Sequence, residues 1–493
     1  MRGHWLGMAI ALCGLAAVAS FWLRPPQVVP TGDEPDYYRA AVHLARSGVL
    51  SIAPVSLAAP PRDAYREPGY PFLLAAYWRL ARVPLTDETP ESWTVLPGAA
   101  ARGIAVVGAL LLAATAAGAG FAARFAGASG RASLAAAVLV VASPALRQAA
   151  LVPGSEGLAA ALMTLAACGL AAAVTRCGGS GVAGGIGGIG GIGASGAVAL
   201  AGLATGLSPL ARGAGIALVP VGVLVLLLLP RSVSLRRRAA RAGVFACIAL
   251  LPVVFWMTRN SRATGHFVLA DRGGAVLWTR AELDRQIANE GILPAIFAWT
   301  PLESARRAGE RRWPEATYSR YQWEGEGNYF TRAMRSWQAA RRESADPLAA
   351  DLALGRAAVG EFLRRPGDHA LAALAVAWRG GFAERSPELA APFDLTFALG
   401  LLLGGGVFWI VLAAVRGGRV VTLVLLAGPV TLFVVHATAT EFLPRFGVPG
   451  LPLIAAALAA TISHCGALAE RSRGADHDPK RTADPARAGS NER

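Results

Sequence analysis

The chain has 493 residues, of which 54% are hydrophobic, and its mean hydropathy is +0.44. This composition excludes a soluble α/β enzyme and predicts a multi-pass membrane protein, because several apolar runs reach or approach the roughly 20 residues that span a bilayer. The net charge of +15 is weak support for nucleic-acid binding. Lys480 is the only lysine, and heavy use of Ala, Gly and Arg is typical of a GC-rich genome.

Ten transmembrane helices are predicted from the apolar runs in chain order. The first, Leu6 to Leu23, is interpreted as an uncleaved helix, although "AVAS" at residues 17–20 also resembles a signal-peptide cleavage site. Arginines in the short loops, most densely in "RSVSLRRRAAR" (Arg231 to Arg241), predict that both termini are cytoplasmic. The other nine runs cover about 99–121, 132–147, 156–174, 197–211, 213–230, 242–258, 393–415, 420–438 and 447–463.

Two long segments lie outside the cytoplasm under this topology. Residues 24–98 form the first extracytoplasmic loop within a transmembrane core at 1–258, and residues 259–392 form a mostly helical loop domain. In that domain Asp346 and Pro347 predict a helix start, with the helix closing near Pro366. Two further parts complete the chain: C-terminal transmembrane helices at 393–463 and a disordered cytoplasmic tail at 464–493.

The stretch "TGDEPDYY" places Asp33 and Glu34 just beyond the first predicted helix. It has an ordinary structural interpretation, in which Asp33 caps a new helix and Pro35 sits in its first turn. It also has a functional one, in which a carboxylate near the lipid headgroups is a general base whose pKa is tuned by partial desolvation. The sequence leaves both interpretations open.

Further ionisable side chains map to the same membrane face. Arg66 precedes a Pro–Gly–Tyr–Pro turn and an apolar stretch too short to cross, and Arg259 stands where the seventh predicted helix leaves the bilayer. Each could be an interfacial anchor, but guanidinium groups also bind phosphate. As a set, acids and arginines at one interface suit a reaction in which a lipid phosphate leaves and a hydroxyl attacks. The other members of the set are Glu156, Arg212, Glu441 and Arg445.

In this order the motifs resemble the family 39 glycosyltransferases of the GT-C superfamily, which include protein O-mannosyltransferases and the lipid A aminoarabinose transferase. One departure is clear: the family's Glu–x–Arg–Tyr is interrupted here by Leu443 and Pro444, and Phe446 replaces the tyrosine. The matching positions are Asp33, Glu34 and Tyr37, then Arg66, Pro68, Gly69, Tyr70 and Pro71, then "GLATGLSPLARGAG", Arg259 with Asn260, Glu441 with Arg445, and the spaced prolines Pro449 and Pro452.

The resemblance implies an all-α polytopic fold of the GT-C type in a bacterial inner membrane, with the active site on the extracytoplasmic face. It also implies inverting transfer of a sugar from a polyprenyl-phosphate donor to a hydroxyl on an acceptor protein, lipid or glycan. Asp33, as general base, and Glu34 would be catalytic. The donor phosphate would be bound by Arg66, Arg259, Arg445 and Arg212. The substrates would be contacted by Tyr37, Tyr70, Asn260, Glu156 and Glu441.

No cofactor and no nucleic-acid partner is expected. The five cysteines include no CxxC pair, and exposed His, Asp and Glu do not cluster at metal-ligand spacing. A divalent ion at Asp33 and Glu34 remains open. The alternative function is a secondary transporter or a flippase for a lipid-linked substrate, for which internal repeats and charges near the membrane midplane would be expected.

Overall fold

The computed structural model describes residues 33–85, 98–177, 193–229, 232–322, 327–381, 393–440 and 444–476. Within these ranges the regular secondary structure is helical, which confirms the all-α prediction. Six helices are long and apolar enough to cross a membrane, or up to seven if one bent pair is a single span. The polytopic class is therefore confirmed. The count of ten is not, and the predicted helix Leu6 to Leu23 lies outside the described residues.

Two short helices precede the bundle. The first, α1 (Glu34–Ser47), has Pro35 in its first turn and ends at Gly48, which adopts the left-handed conformation with a φ of 73°. The second, α2 (Gly69–Leu80), begins inside the predicted Pro–Gly–Tyr–Pro turn, with Pro68 at its cap position, and is too short to span, as predicted. The two helices share an aromatic core in which the rings of Tyr38 and Trp78 meet edge to face.

The first seven helices of the bundle are α3 (Gly98–Phe125), α4 (Gly130–Ala142), α5 (Pro144–Leu151), α6 (Glu156–Cys177), α7 (Ala194–Ala211), α8 (Leu218–Leu228) and α9 (Leu235–Thr264). Two predicted runs have a different form. The run at 132–147 is the pair α4 and α5, bent by 54° because Ser143 caps a new helix that opens with Pro144. The run at 213–230 is a 3-10 helix, Gly213–Ala217, followed by the short α8.

Small residues bring these helices into backbone contact. A Cβ added at Gly108 of α3 would lie 1.6 Å from the Ala150 carbonyl oxygen, and one at Gly206 of α7 would lie 2.2 Å from that of Ala249. Close approach at small residues is the usual way in which helices pack inside a membrane. On the outside of the bundle, Leu251 and Phe255 of α9 are 71% and 74% exposed, as expected for a lipid-facing surface.

A series of helices follows α9 within the segment 259–392, for which a helical loop domain is predicted. Its longer elements are anchored by buried Asp351, whose carboxylate accepts hydrogen bonds from the Gly274 and Ala275 amides and from Trp337 Nε1. The predicted start at Asp346 is confirmed, since its side chain accepts from two amides of the first turn. The elements are α10 (Gly273–Glu290), α11 (Leu293–Trp299), α12 (Glu303–Arg312), α13 (Glu315–Tyr318), α14 (Tyr329–Glu343), α15 (Pro347–Arg364) and α16 (Pro366–Gly380).

Three more helices complete the bundle. They are α17 (Phe393–Arg416), α18 (Val420–Ala439) and α19 (Leu451–Asp476), with a 3-10 helix, Pro444–Gly450, before the last. The prediction of a disordered tail from residue 464 is wrong for residues 464–476, which continue α19. Residues 467–470 (Ala, Leu, Ala and Glu) are strong helix formers, so the helix outlasts its apolar run. Residues 477–493 lie outside the described residues.

Candidate active site

Asp33 lies at the centre of a group of charged side chains at one end of the bundle. It occupies the cap position of α1, yet its side chain makes no capping hydrogen bond. Its carboxylate instead accepts from three arginines. Oδ1 accepts from Arg66 Nη2 at 2.7 Å and from Arg272 Nη1 at 3.4 Å, and Oδ2 accepts from Arg445 Nη2 at 2.9 Å. The Asp33 side chain is 37% exposed, so the group is open to a ligand.

Arg66 is the most firmly held of these arginines. Its side chain is only 9% exposed, and Nε and Nη2 both donate to Asp36 Oδ2, at 3.0 and 2.6 Å, in addition to the bond to Asp33. The ring of Tyr65 contacts the guanidinium groups of both Arg66 and Arg272, each 5.2 Å from the ring centroid. At that distance the ring attracts both cations, so Tyr65 fixes the two arginines on the same side of Asp33.

A second set of charges adjoins the first on the side of α6. Glu156, in the first turn of α6, accepts a hydrogen bond from Arg212 Nη1 at 3.2 Å. Arg445 joins the two sets, because its Nη1 lies 3.7 Å from Glu34 Oε1 and its Nε lies 3.8 Å from Glu156 Oε1. The guanidinium of Arg212 stacks on the ring of Phe446 at 4.1 Å. Phe446, which departs from the family pattern, therefore supports an arginine of the site.

These eight side chains form what we call the ion cluster: Asp33, Glu34, Asp36, Glu156, Arg66, Arg212, Arg272 and Arg445. Each one lies at or next to a helix end: the start of α1, the approach to α2, the start of α6, the end of α7, the start of α10 and the 3-10 helix after α18. Consecutive spans reverse direction, so ends distant in sequence meet at one membrane level. Ionisable side chains gathered in this way beside an apolar bundle are candidates for a functional site.

The two neighbouring acids of α1 have opposite electrostatic environments. Burial acts to raise the pKa of the Asp33 carboxyl, but the guanidinium groups of Arg66, Arg445 and Arg272 outweigh it and hold that pKa well below its usual range. Burial raises the pKa of the Glu34 carboxyl to about 6, since its own backbone hydrogen bond and Arg445 oppose burial only in part. Glu34 Oε2 is buried and has no hydrogen-bond partner among the described residues. Such an oxygen suits a hydroxyl donor.

Tyr37 lies beside the ion cluster, one turn along α1 from Asp33. Its hydroxyl donates to Glu67 Oε2 at 3.0 Å, and Glu67 Oε1 accepts from the Gly213 amide at 3.1 Å. Glu67 thereby ties α1 to the chain that leaves α7. The ring of Tyr70 packs edge to face on that of Tyr37, with a centroid distance of 6.3 Å. Both rings are at most 5% exposed, and the Arg66 guanidinium lies 5.5 Å from the centroid of the Tyr37 ring.

Four residues of the predicted site lie elsewhere or are not described. Arg259 Nη1 donates to the Asp63 carbonyl at 2.6 Å and to Asn260 Oδ1 at 2.9 Å, and thus supports the segment that carries Arg66 without touching the ion cluster. The substrate contact predicted for Asn260 stays a prediction; its side chain is fully buried and donates to two backbone carbonyls of the following loop. Tyr70 is likewise buried, as above. Glu441 lies outside the described residues.

The predicted set missed four residues that shape the site. Asp36 follows Asp33 by three positions, a helical spacing that puts both on one face and was available in the sequence. Arg272, Tyr65 and Glu67 had no comparable signal. Arg272 stands more than two hundred residues from Asp33, and the loop that delivers it has no recognisable pattern.

The donor set does not fit a divalent ion. Arg445 lies between the two acids proposed for it, 2.9 Å from Asp33 Oδ2 and 3.7 Å from Glu34 Oε1. A cation bound to both acids would stand against a guanidinium group. In the ranges that the structure describes, no three His, Cys, Asp or Glu side chains come together as metal ligands. The charge that a metal would supply is present here as arginine.

Neither a protein-family model nor a curated protein sequence matches the chain. Among solved structures, the chain is similar to the oligosaccharyltransferase AglB from Archaeoglobus fulgidus in complex with an inhibitory peptide and a dolichol-phosphate, at 13% identity and a TM-score of 0.49. That alignment covers 100% of this chain and 53% of the other, so the chain spans about half the length of AglB.

The chain is also similar to ArnT from Cupriavidus metallidurans bound to undecaprenyl phosphate, at 15% identity and a TM-score of 0.37. Here the alignment covers 99% of this chain and 82% of the other. The apo state of the same ArnT gives 17% identity, a TM-score of 0.36 and coverage of 98% and 81%.

Proposed function

We propose that this protein is a membrane glycosyltransferase of the GT-C type, similar to family 39. It moves a sugar from a polyprenyl-phosphate donor to a hydroxyl acceptor, with inversion, on the extracytoplasmic face of a bacterial inner membrane. The observation that supports this proposal is the ion cluster, in which four arginines and three other acids from distant helix ends gather around Asp33 at one level of the bundle.

The chemistry of such a transfer matches the residues of the cluster. The acceptor oxygen attacks the anomeric carbon while the bond from that carbon to the phosphate oxygen breaks, and the bonding electrons leave with the phosphate. Negative charge therefore grows on the phosphate, where Arg445, Arg272 and Arg66 can stabilise it through charge-assisted hydrogen bonds. The acceptor proton passes to Asp33, the general base. The unpartnered Oε2 of Glu34 accepts a second hydroxyl of the acceptor and so orients it.

Placement of the charges argues against a transporter. Alternating access uses binding sites near the membrane midplane, at broken helices. In this chain the members of the ion cluster stand at helix ends instead, and neither half of the described chain repeats the other's order of elements. A site at the surface level of the bundle fits a substrate whose headgroup is at the interface while its tail stays in lipid.

The first experiment identifies the sugar and the acceptor by comparing cells with and without this protein. We expect a strain without this protein to lose one glycan or glycolipid from its envelope, identified by mass spectrometry of surface glycans and extracted lipids. Loss of no envelope sugar would contradict the proposal. The identified pair then serves as donor and acceptor for purified protein in liposomes.

Asp33→Asn tests the assignment directly. The substitution keeps the shape of the side chain but removes the base, so we expect transfer to fall by about 10²- to 10⁴-fold while the protein remains folded in the membrane. Asp346→Asn is the matched control, because this residue caps α15 outside the site and Asn caps a helix as well as Asp does. Normal transfer by the Asp33 variant would refute the assignment.

A further inference from the structure

In this structure Asp33 is in the wrong state to be a base. Both of its oxygens are engaged by guanidinium groups, three in all. A carboxylate so held has little tendency to take a proton from a hydroxyl. If Asp33 is the base of the proposed function, something must take arginines away from it before the reaction.

Two of the three arginines are held less firmly than the third. Arg66 is fixed by two hydrogen bonds to Asp36 and is nearly buried. The side chain of Arg445 is 35% exposed and that of Arg272 is 22% exposed, and the Nε of each has no hydrogen-bond partner among the described residues. Both retain donors for a new acceptor. Neither donates a hydrogen bond to a second acid as Arg66 does to Asp36, because the other acids near Arg445, Glu34 and Glu156, lie 3.7 and 3.8 Å from its nitrogens. Among the described residues, Arg272 forms an ion pair with Asp33 alone.

We propose that the donor phosphate displaces the Asp33 carboxylate from Arg445 and Arg272, so that Asp33 becomes a base only once the donor is bound. The inference rests on the proposed function and adds an order of events to it. In the free protein the Asp33 carboxylate binds Arg445 and Arg272 in the place where the donor phosphate would bind. The arriving phosphate takes over these contacts. Arg66 stays with Asp36 and keeps Asp33 near the acceptor.

The bond changes strengthen the exchange as the reaction proceeds. The donor phosphate is a diester with one negative charge, and the departing polyprenyl phosphate gains a second as the bond to the sugar breaks. Arg445 and Arg272 are therefore attracted to the phosphate more strongly in the transition state than in the bound donor, which is the condition for an interaction to accelerate a reaction. Once Asp33 accepts the proton, its carboxyl is neutral and no longer attracts the two arginines.

Competition between Asp33 and phosphate can be measured without any transfer. Purified protein in detergent is titrated with undecaprenyl phosphate, and bound lipid is counted by native mass spectrometry. We expect Asp33→Asn and Asp33→Ala to bind this lipid about tenfold more tightly than the natural chain, because the competing carboxylate is gone. Asp271→Asn is the matched control, since Asp271 adjoins Arg272 in sequence but is held by Arg341. Its affinity should stay within twofold.

The outcomes separate the two proposals. If the natural chain binds the lipid and both Asp33 variants bind it equally or more weakly, the exchange is refuted while the proposed function stands. Equal tightening by Asp271→Asn would also refute it, since a general loss of negative charge would then explain the result. If the natural chain does not bind undecaprenyl phosphate at all, the proposed function fails and the exchange fails with it. The two Asp33 variants guard against one of them failing to fold.

Discussion

Arg66 offers the sharpest test of the geometry, because it is the buried member on which both Asp33 and Asp36 depend. In Arg66→Met the side chain still fills its space, but the three hydrogen bonds to the two carboxylates are lost. Removing one partner of a buried ion pair costs about 3–5 kcal/mol. Asp36 and Asp33 are 18% and 37% exposed, so water compensates in part and we expect about 2–3 kcal/mol.

A double-mutant cycle measures the coupling energy between Arg66 and Asp36 apart from the rest of the site. Asp36→Asn removes the charge that Arg66 would leave unpaired, so the double variant should recover about 1–2 kcal/mol relative to the sum of the single variants. Unfolding by denaturant in mixed micelles, followed by tryptophan fluorescence, gives the four stabilities. Transfer should stay low in the double variant, because Arg66 no longer holds Asp33 near the acceptor. Simple additivity within about 0.5 kcal/mol would refute the contact.

Three further predictions concern other parts of the molecule. Because burial raises the pKa of Glu34 from 4.5 to about 6, the native state binds more protons than the unfolded state between these values, and stability falls as the pH rises through them. Glu34→Gln should therefore be about 2 kcal/mol more stable than the natural chain at pH 8 but not at pH 4, and a pH-independent difference in unfolding would contradict this. Arg280→Met should lower the free energy of unfolding by about 3–5 kcal/mol and also weaken transfer. The reason is that buried Arg280 donates to main-chain carbonyls at the end of α18, just before the 3-10 helix that carries Arg445. Normal transfer by a destabilised variant would limit Arg280 to a structural role. Gly108→Ala should lower the thermal midpoint because its Cβ meets the main chain of α5, whereas Gly243→Ala, with no atom within 4 Å, should not; equal midpoints would contradict the packing.

Much of the site could be predicted because helix ends carry topological information. Once the spans are placed, their alternating direction decides which ends share a membrane face. A charged residue at one of these ends therefore has few possible charged partners. Asp33, Arg66 and Arg445 were assigned to one face in this way, and the structure joins them directly. The roles of these residues stay proposals, but their proximity is now a geometric fact.

The rest could not be predicted because it depends on loops and on hydrogen-bond detail. Arg259 and Arg272 look alike in the sequence, each close to the end of α9, yet one binds the backbone at Asp63 and the other binds Asp33. The choice is made by the path of the chain between residues 265 and 272, which has no periodicity. The hydrogen bonds of Asn260 to the following loop could not be predicted for the same reason, since the sequence does not show where an amide side chain points.

The charge count of the ion cluster explains why the site joins acids to arginines instead of holding arginines alone. Its four acids and four arginines cancel formally, with Arg39 at the rim, 3.8 Å from Asp36. In the proposed reaction the phosphate goes from one negative charge to two as Asp33 goes from one to none, so the total within the cluster stays constant. In a partly desolvated site, where charge separation is costly, moving a charge is far easier than creating one. Four arginines without acids would bind the product phosphate too tightly to release it, whereas Asp33, once it returns its proton to water, competes for Arg445 and Arg272 again and helps to expel the spent lipid.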